Sequence, residues 1–151
     1  MKRSLFNTAI TGVLTIAFLF MGTGPGAVNA QPENRAAKGG PEYVAYYFYT
    51  SKRCGPCTRI EQWSREAVEQ NFQNEIKSGK LQWQAVNVDK PENKHFIEDF
   101  KLYTKSLIIA DYDDGQPARW ENLKNVWRLY RDKEKYFDYV ALETRKFMES
   151  D

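Results

Sequence analysis

The stretch "TSKRCGPCTRI", residues 50–60, holds both cysteines of a 151-residue chain, and its reading decides the fold. It follows at once on "YVAYYFY", residues 43–49, a run dense in β-forming aromatics that predicts a buried strand. Beyond it, from Thr58 to about Lys77, the residues Ile60, Trp63, Ala67, Val68, Phe72 and Ile76 recur at helical spacing, and Gly79 supplies the stop. The cysteines thus stand between a strand and a helix. Such a pair is a working redox site, a structural staple or a metal clip.

The remaining elements follow from the hydrophobic period. "LQWQAVNV", residues 81–88, alternates as a second strand, and "PENKHFIEDF" opens a helix with Pro91 and places Phe96, Ile97 and Phe100 on one face. "SLIIADY" predicts a third strand. "DDG" and "ARWEN" then make a hairpin with Asp114-Gly115 at its tip. Leu123 to Met148 is helical, with a break near Asp132. The order is strand, helix, strand, helix, strand, strand, helix. A strand-helix-strand crossover implies parallel pairing, and the hairpin adds an antiparallel strand.

"CGPC" between a first strand and the helix after it resembles thioredoxin, and the element order is similar across most of residues 42 to 148. The resemblance implies an α/β thioredoxin-like fold, a mixed central sheet of about four strands flanked by helices. It also implies a redox-active pair. Two intervening residues bring both sulfurs to one helix N-terminus, where backbone N–H groups and the helix dipole favour the thiolate. Cys54 is then the nucleophile that attacks a substrate disulfide, and Cys57 resolves the mixed disulfide. Gly55 and Pro56 shape the turn, proline being tolerated where a helix begins. No further cofactor is expected.

The rival readings of the pair ask for features that are absent. A staple constrains the unfolded chain by closing a long loop, and this ring is short. Zinc asks for four ligands, and His95 is the only other soft one. Haem attachment asks for His directly after the second cysteine, and Thr58 stands there. His95 itself reads as a solvated helix residue without a role.

The departures from thioredoxin are informative. Its tryptophan before the first cysteine is Arg53 here, and counting back to its buried aspartate reaches Phe48. Glu61, one turn past Cys57, is a candidate substitute in proton transfer, with a solvated helix carboxylate as the plainer reading. Lys52 and Arg53 before the nucleophile, with Arg59 beyond, are expected to lower the Cys54 pKa, the plainer reading being charges screened by water. Where thioredoxins carry a cis-proline loop this chain has Thr104-Lys105, whose bond should be trans because a non-proline cis bond costs about 2.5–4 kcal/mol. The substrate-docking edge is therefore expected to differ.

Three longer pieces, "YYFYTSKRCGPCTRIEQWSREA", "NVDKPENKHFIEDFKLYTKSLIIADY" and "RWENLKNVWRLYRDKEKYFDYV", resemble a smaller family. It comprises exported bacterial thioredoxin-fold proteins described as ArsF-like, nitrophenyl compound nitroreductase subunit. No flavin or nicotinamide fingerprint is visible in the sequence, so the resemblance implies at most an electron-delivering subunit. The family name also suggests trivalent arsenic as a ligand for the dithiol.

The N-terminal thirty residues carry Lys2 and Arg3, an apolar run, and small residues ending Val28-Asn29-Ala30. That pattern predicts a secretory signal peptide cleaved after Ala30 and a periplasmic protein. The alternative is a retained anchor, but Asn7, Thr8, Thr11, Gly12 and Thr15 interrupt the apolar run, and the mature protein is not expected to be a stable membrane protein. Residues 31–41, "QPENRAAKGGP", read as a flexible leader to a domain at 42–151. Without its signal the chain has 20 basic and 20 acidic residues, and no basic tract points to nucleic acid. The expectation is an exported thiol-disulfide oxidoreductase acting on protein or small-molecule disulfides with an upstream redox donor. A non-catalytic binding or electron-delivery protein is the alternative.

Overall fold

A computed structural model describes residues 40–150; the expected signal peptide at 1–30 and all but the last two residues of the expected leader at 31–41 lie outside the described residues. Strand β1 (Tyr43–Tyr49) is followed by helix α1 (Gly55–Asn71) and helix α2 (Gln73–Lys77), then strand β2 (Leu81–Asn87). A 3-10 turn (Pro91–Asn93) leads into helix α3 (His95–Asp99), strands β3 (Ser106–Asp113) and β4 (Gln116–Asn122), and helices α4 (Val126–Leu129) and α5 (Lys133–Glu149).

The four strands form one sheet in the order β2-β1-β3-β4. β1 pairs with β2 in parallel and with β3 antiparallel, and β4 lies antiparallel on β3. This is the mixed four-stranded α/β arrangement of the thioredoxin-like fold. The parallel pairing expected of a crossover holds for β1-α1-β2 only. The second crossover carries the chain past β1 to its far side, where β3 runs the other way.

Alternation along β1 sorts its side chains between two cores. Tyr43, Ala45 and Tyr47 meet Ile60, Ala67 and Val68 of α1 and Tyr136, Val140 and Phe147 of α5. Val44, Tyr46 and Phe48 meet Phe96 and Phe100 on the other face. A strand covered on both faces has no polar alternation, which is why "YVAYYFY" carries none.

One local difference from the sequence reading has a clear cause, and two expected features hold. The helix expected from Thr58 to Lys77 starts earlier, at Gly55, and breaks at Phe72, which leaves the helical region at φ −129° and ψ 39°. The Phe72 ring is buried, and the chain resumes helical geometry as α2. At the hairpin, Asp114 and Gly115 both take positive φ, 47° and 78°, the two-residue left-handed turn that suits the strand twist. The break near Asp132 is a helix start: its carboxylate accepts the Lys135 N–H at 3.2 Å.

The C-terminal end of α5 is fastened to the sheet by Arg119 on β4. Its guanidinium donates to Asp111 Oδ2 at 3.0 Å, to the Phe147 carbonyl at 3.0 Å and to the Ser150 carbonyl at 3.1 Å, and lies over the Phe147 ring.

Candidate functional site

Cys54 and Cys57 are joined in a disulfide across the first turn of α1, with their Cα atoms 5.0 Å apart. Cys54 is the N-cap. Its backbone is extended, φ −129° and ψ 158°, and its sulfur accepts the Cys57 N–H at 3.2 Å. Gly55 and Pro56 occupy the first helical positions, where a missing N–H leaves no intrahelical partner unmade. Cys54 is exposed, whereas Cys57 is 2 % exposed. A thiolate on Cys54 would stand where an N-cap oxygen normally does, at the positive end of a 17-residue helix.

The charged neighbours are arranged differently from the expectation. Arg53 is not a free cation beside Cys54: it forms an ion pair with Glu61, and its guanidinium lies 4.2 Å from the centroid of the Tyr49 ring. Glu61 lies one turn beyond Cys57 with its side chain 25 % exposed, so the plainer reading of a solvated carboxylate is replaced by a paired one. Arg59 lies over the Trp63 ring, its guanidinium 5.6 Å from the centroid. Lys52 is exposed, and its carbonyl accepts from Thr50 Oγ1. Glu61, expected as a proton-transfer candidate or a solvated carboxylate, therefore offsets the charge of position 53.

Behind the disulfide lies a residue that counting along the sequence missed. Phe48 occupies the expected aspartate position by number, but alternation turns it into the opposite core. Tyr47, fully buried, is the β1 residue beneath the pair, and its hydroxyl donates to the Cys57 carbonyl at 2.9 Å. Burial pushes its phenol up to about 12, opposed by the Arg53 guanidinium. One turn further on, the Tyr136 hydroxyl of α5 donates to the Ile60 carbonyl at 3.1 Å and meets Ser64 Oγ at 2.6 Å. Parity with Tyr43 and Ala45 is the sequence signal that points Tyr47 at α1.

Ser106 opens β3 opposite Phe48, so the preceding Thr104-Lys105 lies at the same end of the sheet as the disulfide. No peptide bond among the described residues is cis, and Thr104-Lys105 is trans as expected. Both carbonyls of that pair are occupied by side chains. Ser106 Oγ donates to the Thr104 carbonyl at 3.1 Å, and the Trp127 indole N–H donates to the Lys105 carbonyl at 3.0 Å. A cleft of about 310 Å³ beside them is lined by Tyr103, Thr104, Ser106, Asn122, Lys124 and Trp127. His95 is exposed on α3 with its ring against Phe96. Among the described residues no cluster of three or more His, Cys, Asp or Glu side chains is gathered.

No protein-family model matches the sequence, and no curated protein matches it. Among solved structures, the chain is similar to the oxidised thioredoxin from Plasmodium falciparum. The two are 24 % identical, with 64 % of this chain and 82 % of that one covered and a TM-score of 0.40.

Proposed function

We propose that the protein is an exported thiol-disulfide oxidoreductase that exchanges electrons through Cys54 and Cys57. The observation that carries this reading is the asymmetry of the disulfide: one sulfur exposed at a helix N-terminus, the other buried behind it. In the reducing direction the Cys54 thiolate attacks a substrate disulfide and Cys57 resolves the mixed disulfide; in the oxidising direction the steps reverse. The residues at the sequence N-terminus support delivery to the periplasm, since Lys2, Arg3, the apolar run and Val28-Asn29-Ala30 have the order of a cleaved signal. The substrate is a protein or small-molecule disulfide, and a dithiol donor regenerates the reduced pair; in the oxidising direction the substrate is a dithiol and a disulfide acceptor regenerates the oxidised pair.

The docking edge supports selectivity over general reduction. An extended substrate strand pairs through backbone groups, and the carbonyls of Thr104 and Lys105 each already hold one side-chain hydrogen bond, which leaves one lone pair on each and restricts the direction from which a strand can pair.

The test is turnover. With a chemical dithiol as reductant, the purified protein should reduce many equivalents of a protein disulfide, and Cys54→Ser should abolish this. A binding protein that uses the dithiol only to hold a metalloid or a partner would react once per molecule, and that outcome would end the enzymatic reading. The reduction potential of the pair then assigns the direction.

A further inference from the structure

The two sulfurs meet different surroundings when the disulfide opens. Cys54 is exposed and receives the Cys57 N–H, so negative charge there is met by water and by the helix N-terminus. Cys57 is 2 % exposed, and charge appearing on its sulfur is buried. A buried ion without a hydrogen-bond donor is costly.

Of the polar groups around the first turns of α1, each has a definable role. Arg53, from the segment before α1, is paired with Glu61 on the next turn of α1. Tyr136, from α5, commits its hydroxyl to Ile60 and Ser64. Tyr47, from β1, gives its hydroxyl to an acceptor that belongs to Cys57 itself. An interior helix carbonyl has an intrahelical partner as well, so α1 does not depend on that second bond. Burial keeps the Tyr47 proton in place, which suits it to donate a hydrogen bond and not to act as a base.

We propose that the Tyr47 hydroxyl turns from the Cys57 carbonyl to the Cys57 sulfur when the disulfide opens, and holds the buried sulfur anion by a hydrogen bond. The inference rests on the reading of the pair as an exchange site. In the oxidising direction a thiolate of a substrate dithiol attacks Cys54 Sγ. The bond to Cys57 breaks, its electron pair stays on Cys57 Sγ, and a disulfide forms between the substrate and Cys54. Tyr47 stabilises the displaced anion without surrendering its proton. The second substrate thiolate then releases Cys54, the substrate leaves oxidised by two electrons, and water supplies the proton that neutralises Cys57. In the reducing direction the same hydrogen bond favours the Cys57 thiolate that resolves the mixed disulfide.

The experiment follows the ionisation of Cys57 by thiolate absorbance in a Cys54→Ser background, where no turnover is needed. Adding Tyr47→Phe should raise the Cys57 pKa so that the thiolate fraction at a fixed lower pH falls about tenfold, the size expected for a lost hydrogen bond to an ion. Adding Tyr136→Phe instead removes a comparable bond to α1 without facing Cys57, and should leave the titration unchanged. In the protein with both cysteines, Tyr47→Phe should slow opening of the disulfide by a dithiol about tenfold, and Tyr136→Phe should not. An unchanged Cys57 titration in Tyr47→Phe, or an equal shift in Tyr136→Phe, overturns the proposal. Should Tyr47→Phe fail to fold, Tyr47→3-fluorotyrosine, a stronger donor of nearly the same shape, should lower the Cys57 pKa, and no shift would overturn it equally. A protein that titrates as proposed but turns over no disulfide would instead refute the function.

Discussion

Removing the carboxylate at position 61 should make Cys54 more acidic, the reverse of what a simple inventory of basic neighbours suggests. In the wild type Arg53 is paired with Glu61, so its field at Cys54 is largely offset. Glu61→Gln leaves the guanidinium over the Tyr49 ring but uncompensated, and its positive potential then favours the thiolate. Arg53→Trp does the opposite, since it removes the cation and leaves the carboxylate. The magnitude follows from exposure. The two side chains are 33 % and 25 % exposed, which places the pair near the solvent-screened regime, where such interactions contribute under about 1 kcal/mol. One pKa unit corresponds to about 1.36 kcal/mol, so each substitution should move the Cys54 pKa by up to about 0.7 unit, downward in Glu61→Gln and upward in Arg53→Trp. Above both pKa values a stabilised thiolate stabilises the reduced protein. Glu61→Gln should then be more oxidising, by up to about 20 mV, at about 30 mV per 1.4 kcal/mol. Thiolate absorbance against pH and equilibration with a glutathione buffer measure the two quantities. Shifts of the same sign in both variants would remove charge at positions 53 and 61 from control of the thiolate.

Cys57→Ser should accumulate mixed disulfides with its partners and Cys54→Ser few, because Cys54 is exposed and Cys57 buried; equal trapping in pull-downs under non-reducing conditions would refute the assignment. Burial raises the phenols of Tyr47 and Tyr136 above that of an unfolded tyrosine, Tyr47 to about 12. Their contribution to stability is full below about pH 10 and is lost as pH rises through the folded values, at about 1.4 kcal/mol per pH unit for each group. Urea midpoints should therefore hold steady from pH 7 to 9 and fall above pH 10, less steeply in Tyr47→Phe. Intact-mass analysis of a periplasmic fraction should show a chain beginning at Gln31, and a membrane-bound species retaining Met1 would contradict the export reading.

The sequence made the sheet legible because its strands are unusually explicit. An unbroken aromatic run needs cover on both faces, "DDG" admits a positive-φ pair, and the cysteines sit at the joint between the first strand and the helix after it. The break at Phe72 was hidden because the residue keeps the helical hydrophobic period even as its backbone leaves the helix. The direction of β3 was hidden too, since the periodicity of α3 does not say that the connection returns at the end of the sheet where β2 finished, as Ser106 opposite Phe48 does. Within the site, Cys54 and Cys57 could be found by spacing alone. The Arg53–Glu61 pair could not, because it joins residues on either side of a turn whose geometry sets their approach. Tyr47 was missed by counting from the cysteine where alternation along the strand should have been followed.

The Arg119 clamp decides where the described domain can be held. Arg119 lies opposite Asp111, and Asp111 opposite Tyr43, the first residue of the strand whose far end leads to the disulfide. Residues 147–150 at the end of α5, gripped by Arg119, and residues 40–42, which enter β1, therefore lie at one pole of the sheet. Cys54 projects from the other. A tether fixed at either of these ends, to an electrode or to a fused partner, holds the domain with its reactive sulfur turned outward.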